Sequence, residues 1–306
     1  MKQIANASFP FLAIELWTKY RGGCSTFGSQ TGTRLIRAMP ETIESEQRSV
    51  AVAPAPDFSH RRHTLALPKT RLGRLGLRAQ DALEAHVARV SLHGDPPIYR
   101  TAAFPWASEL EADWFRIRAE LDRVMKFRDQ MPSFQEILKE VGPIQTDQNW
   151  KTFFLAGIGM DCRQNARRCP ETMHLLKKIP GMKTAFFSIL SPGKHIPAHR
   201  GAYNGVLRLH LALLVPEPRE RCRIRIGNEI RHWTEGRALI FDDTYNHEVW
   251  NDTDGWRVVL FVDFARPLMF PFHQLNGALL SVGALAPFLR EAGEKQKKWE
   301  KKFYKA

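Results

Sequence analysis

Residues able to bind a metal and an anion are concentrated in one stretch of the sequence. They are His199, Arg208, His210, His247 and Arg257. Imidazole nitrogen is a common ligand of ferrous iron, and a guanidinium group binds a carboxylate through two parallel, charge-assisted hydrogen bonds. These residue types therefore indicate a metal site that also holds a small molecule carrying a carboxylate.

Arg208 and His210 lie in the segment V-L-R-L-H-L-A-L-L-V, residues 206–215, which alternates like a strand. Side chains of a strand point to opposite faces in turn, so the two basic residues share one face and the leucines share the other. Burial of such groups without partners is unfavourable by several kcal/mol. We therefore expect something anionic or metallic in front of the basic face.

The order of the residues is typical of a non-haem iron oxygenase that uses 2-oxoglutarate. Arg257 opens a strand-like segment ten positions after His247. The usual protein ligands of such iron are two histidines and one carboxylate, which leave positions open for O2 and the co-substrate. The carboxylate commonly lies two residues after the first histidine, but this chain has Gly201 there. A glycine cannot ligate iron.

Longer motifs resemble the aspartyl/asparaginyl β-hydroxylase family over roughly residues 97–268. They include H-R-G-A-Y-N-G-V-L-R-L-H-L, C-R-I-R-I-G-N-E, W-T-E-G, F-D-D-T-Y-N-H-E-V-W-N and R-V-V-L-F-V-D. That family also lacks the carboxylate ligand. Its bacterial members include lipid A hydroxylases, so membership alone leaves the substrate open.

The resemblance implies a role for each matched residue. His199 and His247 correspond to the ligands of Fe(II), with water in the place left by the missing carboxylate, and Arg257 corresponds to the arginine that binds the distal carboxylate of 2-oxoglutarate. The residues that complete the co-substrate pocket are Ser188, Arg208 and His210. Other histidines, His195, His232 and His273, match no motif and are expected on the surface or in loops. Asp242 and Asp243, just before His247, are expected in a turn or in an orienting role.

The implied activity is hydroxylation of an unactivated C–H bond with Fe(II), 2-oxoglutarate and O2. The β-carbon of an aspartyl or asparaginyl residue, or a related small substrate, is the first expectation, and a lipid acyl chain is an alternative. A halogenase is a rival because a small residue in place of the carboxylate leaves room for halide. A cupin-like module that binds metal without catalysis is a rival from another class.

Turn signals divide the matched region into short strands at the spacing of a double-stranded β-helix, or jelly roll, with helices around it. The predicted parts are a poorly ordered or partly helical extension over residues 1–95, the catalytic domain over 96–268 and a basic helical tail over 269–306. Helices are predicted over Ser108–Arg128, capped by Ser108, and over Pro170–Lys178. A basic amphipathic helix is predicted over Arg71–Val90, with Leu72, Leu75, Leu83 and Val87 on its apolar side.

Composition narrows the classes of partner. The chain has 306 residues, 43% of them hydrophobic, and a net charge of +13. It carries no nucleic-acid motif, so the charge favours a solvated basic surface or peripheral contact with an acidic membrane over nucleic acid. The four cysteines form no CxxC pair, which favours a reducing compartment. No apolar run approaches the ~20 residues of a membrane span, so we expect a cytoplasmic protein. Nothing in the sequence specifies an oligomeric state.

Overall fold

Two antiparallel sheets form the centre of the structure. The computed structural model describes residues 57–59, 68–144, 147–283 and 286–305. The strands are β1 (Ile98–Tyr99), β2 (Trp150–Ala156), β3 (Met182–Leu190), β4 (His195–His199), β5 (Val206–Leu214), β6 (Cys222–Ile226), β7 (Glu229–His232), β8 (Ala238–Phe241), β9 (His247–Asn251) and β10 (Arg257–Ala265). One sheet has the order β1-β8-β5-β10-β3-β2 and the other β4-β9-β6-β7. This arrangement confirms the predicted jelly roll.

Helices surround the sheets. They are α1 (Arg71–Arg89), α2 (Pro105–Ala112), α3 (Trp114–Met125), α4 (Phe134–Ile137), α5 (Arg163–Arg168), α6 (Pro170–Leu176), α7 (Phe272–Gly283) and α8 (Pro287–Phe303), with short 3-10 turns at Thr101–Ala103, Arg128–Gln130, Lys139–Ile144 and Arg219–Arg221. None of the helices in the described part of the chain combines the length and the apolar content needed to cross a membrane.

The helix predicted over Ser108–Arg128 is wrong in two respects. It is interrupted at Asp113, and its first part begins at Pro105 instead of Ser108. Proline suits the first helical position because it has no N–H group that needs a partner there. The Ser108 hydroxyl instead donates a hydrogen bond back to the Pro105 carbonyl at 2.6 Å. The predicted helix at Pro170 is present as α6.

Alternation along the strands separates two cores. Leu207, Leu209, Leu211 and Leu213 of β5 pack on the outer face of the six-stranded sheet, against apolar residues of α2, α3 and α6. Ala212 on the opposite face belongs to the core between the two sheets, together with apolar residues of β6 and β9. Arg208 and His210 are separated from Ala212 by four and two positions along β5, so their side chains point to the same face as that of Ala212. The predicted division of β5 into a leucine face and a basic face is thus confirmed, and the basic face lies inside the jelly roll.

The helix predicted over Arg71–Val90 is present as α1, and the Thr70 side chain caps it by accepting a hydrogen bond from the Gly73 N–H at 3.0 Å. The assignment of its buried face was only partly right. Val87 packs into the protein, whereas Leu72, Leu75 and Leu83 are exposed. The rest of the predicted N-terminal extension, residues 1–56 and 60–67, lies outside the described residues.

Candidate active site

His199 and His247 lie next to each other inside the jelly roll. His199 ends β4 and His247 begins β9, and the two residues are direct partners in the antiparallel pairing of these strands. Their ring centroids are 4.1 Å apart, with an angle of 52° between the planes. Residues separated by nearly fifty positions in the chain are therefore brought together by strand pairing, as the sequence motifs predict.

Hydrogen bonds determine which nitrogen of each imidazole carries the proton. Nδ1 of His199 bonds to the Pro197 carbonyl oxygen at 2.8 Å, and Nδ1 of His247 bonds to the Tyr245 carbonyl oxygen at 3.0 Å. A carbonyl oxygen only accepts, so each Nδ1 must donate and each Nε2 carries the lone pair that a metal requires.

The surroundings of His247 also favour a neutral imidazole ring. Burial, with the nearby His199 and Arg208, lowers the pKa of His247 well below its ordinary value. The ring is therefore neutral at physiological pH, which is the protonation state of a metal ligand. Among the described residues, no third His, Cys, Asp or Glu completes a metal-binding group with this pair. The Nε2 lone pairs of His199 and His247 are thus in the state that metal binding requires.

The carboxylate of Asp243 lies against Gly201, the position of the missing ligand. A Cβ atom added to Gly201 would lie 2.2 Å from Cγ and both carboxylate oxygens of Asp243. The backbone reinforces this contact because the Gly201 N–H donates to the Asp243 carbonyl at 2.6 Å. The space beside Gly201 is thus occupied by a carboxylate from another loop, and the water predicted in the place of the missing metal ligand stays a prediction.

This contact predicts that Gly201→Asp is inactive. The added side chain would displace the Asp243 carboxylate and bring a second negative charge beside it, so we expect hydroxylation to be lost while the histidine pair still binds iron. Gly201→Ala, which adds bulk without charge, is the matched variant. Turnover and iron stoichiometry measured on both would test the contact, and higher activity in Gly201→Asp than in the wild type would contradict it.

Arg208 finds its anionic partners within the protein. Its guanidinium lies 2.9 Å from Oδ2 of Asp243 and 2.9 Å from Oδ1 of Asp263, and it stacks over the Phe261 ring at 4.2 Å. The sequence predicted something anionic or metallic in front of Arg208, and the carboxylates of two aspartates of the protein supply the anion. Burial raises the pKa of Asp243 to about 7, against the lowering effect of Arg208.

Arg257 is buried without such partners. Only 1% of it is exposed, and its Nε and Nη1 atoms have no hydrogen-bond partner among the described residues. The equally buried Arg266 is paired with Asp242 at 2.9 Å and Asp95 at 2.6 Å. Burial lowers the pKa of Arg257 to about 10, so it remains charged at neutral pH. Burial of an unpaired guanidinium is unfavourable, so its Nε and Nη1 donors are available to an anion that the described residues do not supply.

Further polar groups without partners lie beside Arg257. The guanidinium stacks on Trp233 at 4.6 Å, and the Trp233 ring centroid is 6.1 Å from that of His210. Nε1 of Trp233 and both ring nitrogens of His210 are buried without a hydrogen-bond partner among the described residues. Burial, with Arg257 and Arg208 nearby, lowers the pKa of His210 well below its ordinary value. Neutral His210 can therefore donate one hydrogen bond and accept another.

Ser188 lies on the neighbouring strand with its side chain in the same interior. Its hydroxyl oxygen accepts a hydrogen bond from Trp150 Nε1 at 3.0 Å, which leaves its proton available to an acceptor. Thr152, its partner across β2 and β3, has a buried hydroxyl without a partner among the described residues. The unpaired donors on β2, β3, β5, β10 and at Trp233 fit a small dicarboxylate, so the chemistry of these groups matches 2-oxoglutarate.

Sequence reasoning missed Trp233, Thr152 and Asp263. The W-T-E-G motif contained Trp233 but suggested no role for it, and Thr152 could have been found from its alternation with Trp150 on β2. Asp263 lies six positions after Arg257 on β10, so both side chains point to the interior of the jelly roll. Its carboxylate in that otherwise apolar segment could have indicated a role in the site.

The residues expected outside the site lie outside it. His195, His232 and His273 are exposed, and His195 Nε2 bonds to Glu248 Oε1 at 2.7 Å. Asp242 has the predicted turn role, because its Oδ1 accepts from the Thr244 N–H at 2.9 Å.

Comparison with known proteins gives the same family as the motifs. A family model described as aspartyl/asparaginyl beta-hydroxylase matches residues 111–267. The chain is 55% identical over 211 residues to an ornithine lipid ester-linked acyl 2-hydroxylase of Rhizobium tropici, covering 69% of this chain and 75% of that protein. It is 37% identical over 168 residues to the aspartyl/asparaginyl beta-hydroxylase of Homo sapiens, covering 53% of this chain and 21% of that protein, about a fifth of its length.

Among solved structures, a Pseudomonas putida prolyl-4-hydroxylase matches with a TM-score of 0.33 and 13% identity, over 49% of this chain and 86% of the other. The family match includes every residue of the histidine pair and the buried arginine site described above. The chain belongs to the aspartyl/asparaginyl β-hydroxylase family.

Proposed function

We propose that this chain is an iron(II)- and 2-oxoglutarate-dependent hydroxylase that acts on a lipid acyl chain. The observation that carries the co-substrate assignment is the buried Arg257, charged and without an anionic partner among the described residues. Contacts connect it to the histidine pair. Arg257 stacks on Trp233, Trp233 neighbours His210, and Phe241 lies 5.0 Å from the His210 ring and 5.9 Å from the His247 ring, centroid to centroid.

Residues of this chain would bind both the iron and the 2-oxoglutarate. His199 and His247 would bind iron through Nε2, because their Nδ1 atoms are committed to backbone carbonyls. Arg257 would bind the distal carboxylate of 2-oxoglutarate by a two-pronged contact, with Ser188 and His210 as additional donors. Iron and 2-oxoglutarate supply, when bound, the O2 activation and the electrons from oxidative decarboxylation that attack on an unactivated C–H bond requires.

Asp243 and Arg208 would act beside the metal. The ion pair between them fixes the Asp243 carboxylate next to Gly201. Such a carboxylate can accept a hydrogen bond from water near the histidine pair and so orient it. The same carboxyl group disfavours a halogenase, because it occupies the space beside Gly201 in which a halide would bind.

The relatives support the choice of substrate. The motifs alone favour an aspartyl or asparaginyl side chain, whereas the match to the ornithine lipid acyl 2-hydroxylase is stronger in identity and spans three quarters of that protein. We therefore place the lipid acyl chain first. Hydroxylation of an aspartyl or asparaginyl residue in a peptide is the second candidate, supported by the family model and the human relative.

Mass spectrometry distinguishes the two candidates. The full chain should be incubated with iron(II), 2-oxoglutarate and isotopically labelled O2, in parallel with an ornithine lipid and with peptides containing aspartate or asparagine. We expect one labelled oxygen atom on the lipid acyl chain, with succinate formed in equal amount. Labelled oxygen only in the peptide would favour the second candidate and reject the lipid assignment.

A further inference from the structure

An apolar stripe on α1 faces solvent. Leu72 and Leu75 are 63% and 59% exposed, and Leu83 is also exposed. At about 100° per residue, these leucines lie along one side of α1, next to the side on which Val87 and Glu84 pack into the protein. Several large apolar side chains exposed along one side of a helix indicate an interaction surface.

More exposed apolar side chains lie at the end of the same helix. Phe270, in the loop after β10, is 78% exposed. The Met269 N–H donates to the Val90 carbonyl at 2.9 Å, and the Leu92 N–H donates to the Pro267 carbonyl at 3.0 Å, so this loop adjoins the end of α1. We call the exposed set the docking surface: Leu72, Leu75, Leu83, Leu92, Met269, Phe270 and Leu275.

Basic residues border the docking surface. Arg71, Arg74 and Arg78 form a stripe on α1 next to the leucines. Of the two acidic residues of α1, Asp81 and Glu84, the second is buried and paired with Arg200 at 2.9 Å. A helix with apolar side chains on one side and arginines alongside matches the headgroup region of a bilayer, where apolar groups reach the acyl chains and guanidinium groups meet phosphates.

The same helix positions the segment that follows a candidate iron ligand. Gln80 Nε2 donates to the Ala202 carbonyl at 2.7 Å, and Glu84 pairs with Arg200, the residue directly after His199. Asn204 Nδ2 also donates to the Glu84 carbonyl at 2.8 Å. Contact between α1 and a partner would therefore take place beside the segment that carries His199.

We infer that the docking surface binds a lipid bilayer containing anionic lipids, with α1 lying along the headgroups. This inference rests on the proposed lipid substrate, since an enzyme that acts on membrane lipid must reach it in the bilayer. A bilayer fits better than a second copy of the chain. When two copies pack α1 against α1 in antiparallel orientation around a two-fold axis, the arginine stripes of both copies come together and repel each other.

Vesicle sedimentation tests the inference with the full chain, without iron or 2-oxoglutarate. The wild type should bind vesicles of phosphatidylcholine with phosphatidylglycerol and bind phosphatidylcholine alone more weakly. The triple variant Leu72→Ser, Leu75→Ser, Phe270→Ser should lower the partition constant by on the order of 1000-fold, because burial of each of the three large apolar side chains contributes about tenfold. Arg71→Gln with Arg78→Gln should weaken binding only to the anionic vesicles.

The matched control is Phe115→Ser with Ile230→Ser, two exposed apolar residues on α3 and β7 outside the docking surface. It should bind vesicles like the wild type. Circular dichroism should confirm that the variants fold. If the triple variant does not fold, the double arginine variant still tests whether anionic vesicles bind to this surface. All variants should hydroxylate lipid dispersed in detergent at the wild-type rate, because the docking surface contains none of the proposed site residues.

Each outcome decides the inference. Vesicle binding that the triple and arginine variants leave unchanged would overturn it, as would a wild-type dimer that the triple variant dissociates and that does not bind vesicles. Loss of vesicle binding with detergent turnover retained would support both proposals. Loss of vesicle binding in a protein that hydroxylates no lipid in any form would support the docking surface and reject the proposed lipid substrate.

Discussion

Replacing Arg257 with alanine should raise the 2-oxoglutarate concentration needed for half-maximal turnover by on the order of 100-fold, equivalent to about 3 kcal/mol. The reason is the environment of the guanidinium, which is buried and has no anionic partner among the described residues. A carboxylate bound there would be desolvated and would form charge-assisted hydrogen bonds. Iron binding without co-substrate should be unchanged, since the metal would contact His199 and His247.

Two further variants separate co-substrate binding from structure. Arg257→Lys should recover only part of the loss, because an ammonium keeps the charge but not the planar fork. Arg266→Ala is the matched control, since that equally buried arginine already pairs with Asp242 and Asp95. It should cost about 3–5 kcal/mol of unfolding free energy. Arg257→Ala should cost little stability, and a loss as large as that of Arg266→Ala would show that Arg257 is a structural residue.

His199→Ala and His247→Ala should each abolish turnover. With two protein ligands proposed for the iron, the loss of either should weaken iron binding by more than the about 10- to 100-fold typical of removing an outer hydrogen-bond partner. Equilibrium dialysis against iron(II) under anaerobic conditions, together with turnover, measures both effects.

His195→Ala is the control for the histidine variants. His195 lies on the same strand as His199, but it is exposed and bonds to Glu248 instead of facing His247. Its replacement should leave iron binding and turnover nearly intact. An equal loss in His195→Ala would mean that the first iron ligand has been assigned to the wrong histidine.

Local patterns predicted the parts of the site that depend on single strands. Alternation in β5 placed Arg208 and His210 on one face, because successive side chains of a strand point to opposite faces. Such information is contained in a few consecutive residues. The pairing of His199 with His247, nearly fifty positions apart, followed instead from the resemblance of the motifs to a known family.

The carboxylates that reach the site from distant segments were not predicted. Arg208 meets Asp263, which is 55 positions away, and Asp243 fills the space beside Gly201 from a separate turn. No local period reports which carboxylate reaches which arginine, so the sequence indicated an anion or a metal in front of Arg208 without identifying Asp243 or Asp263. The α1 leucines illustrate the same limit, because helical spacing shows that residues share a side but not whether the protein covers it.

The most direct test of the iron and 2-oxoglutarate site is an anaerobic titration of the full chain with iron(II) and then 2-oxoglutarate, followed by absorption spectroscopy. We expect a metal-to-ligand charge-transfer band that saturates at one iron and one 2-oxoglutarate per chain, is absent in His247→Ala and needs far more 2-oxoglutarate in Arg257→Ala. Iron that binds the wild type without producing the band, together with no succinate on admission of O2, would contradict the site and favour a metal-binding module without catalysis.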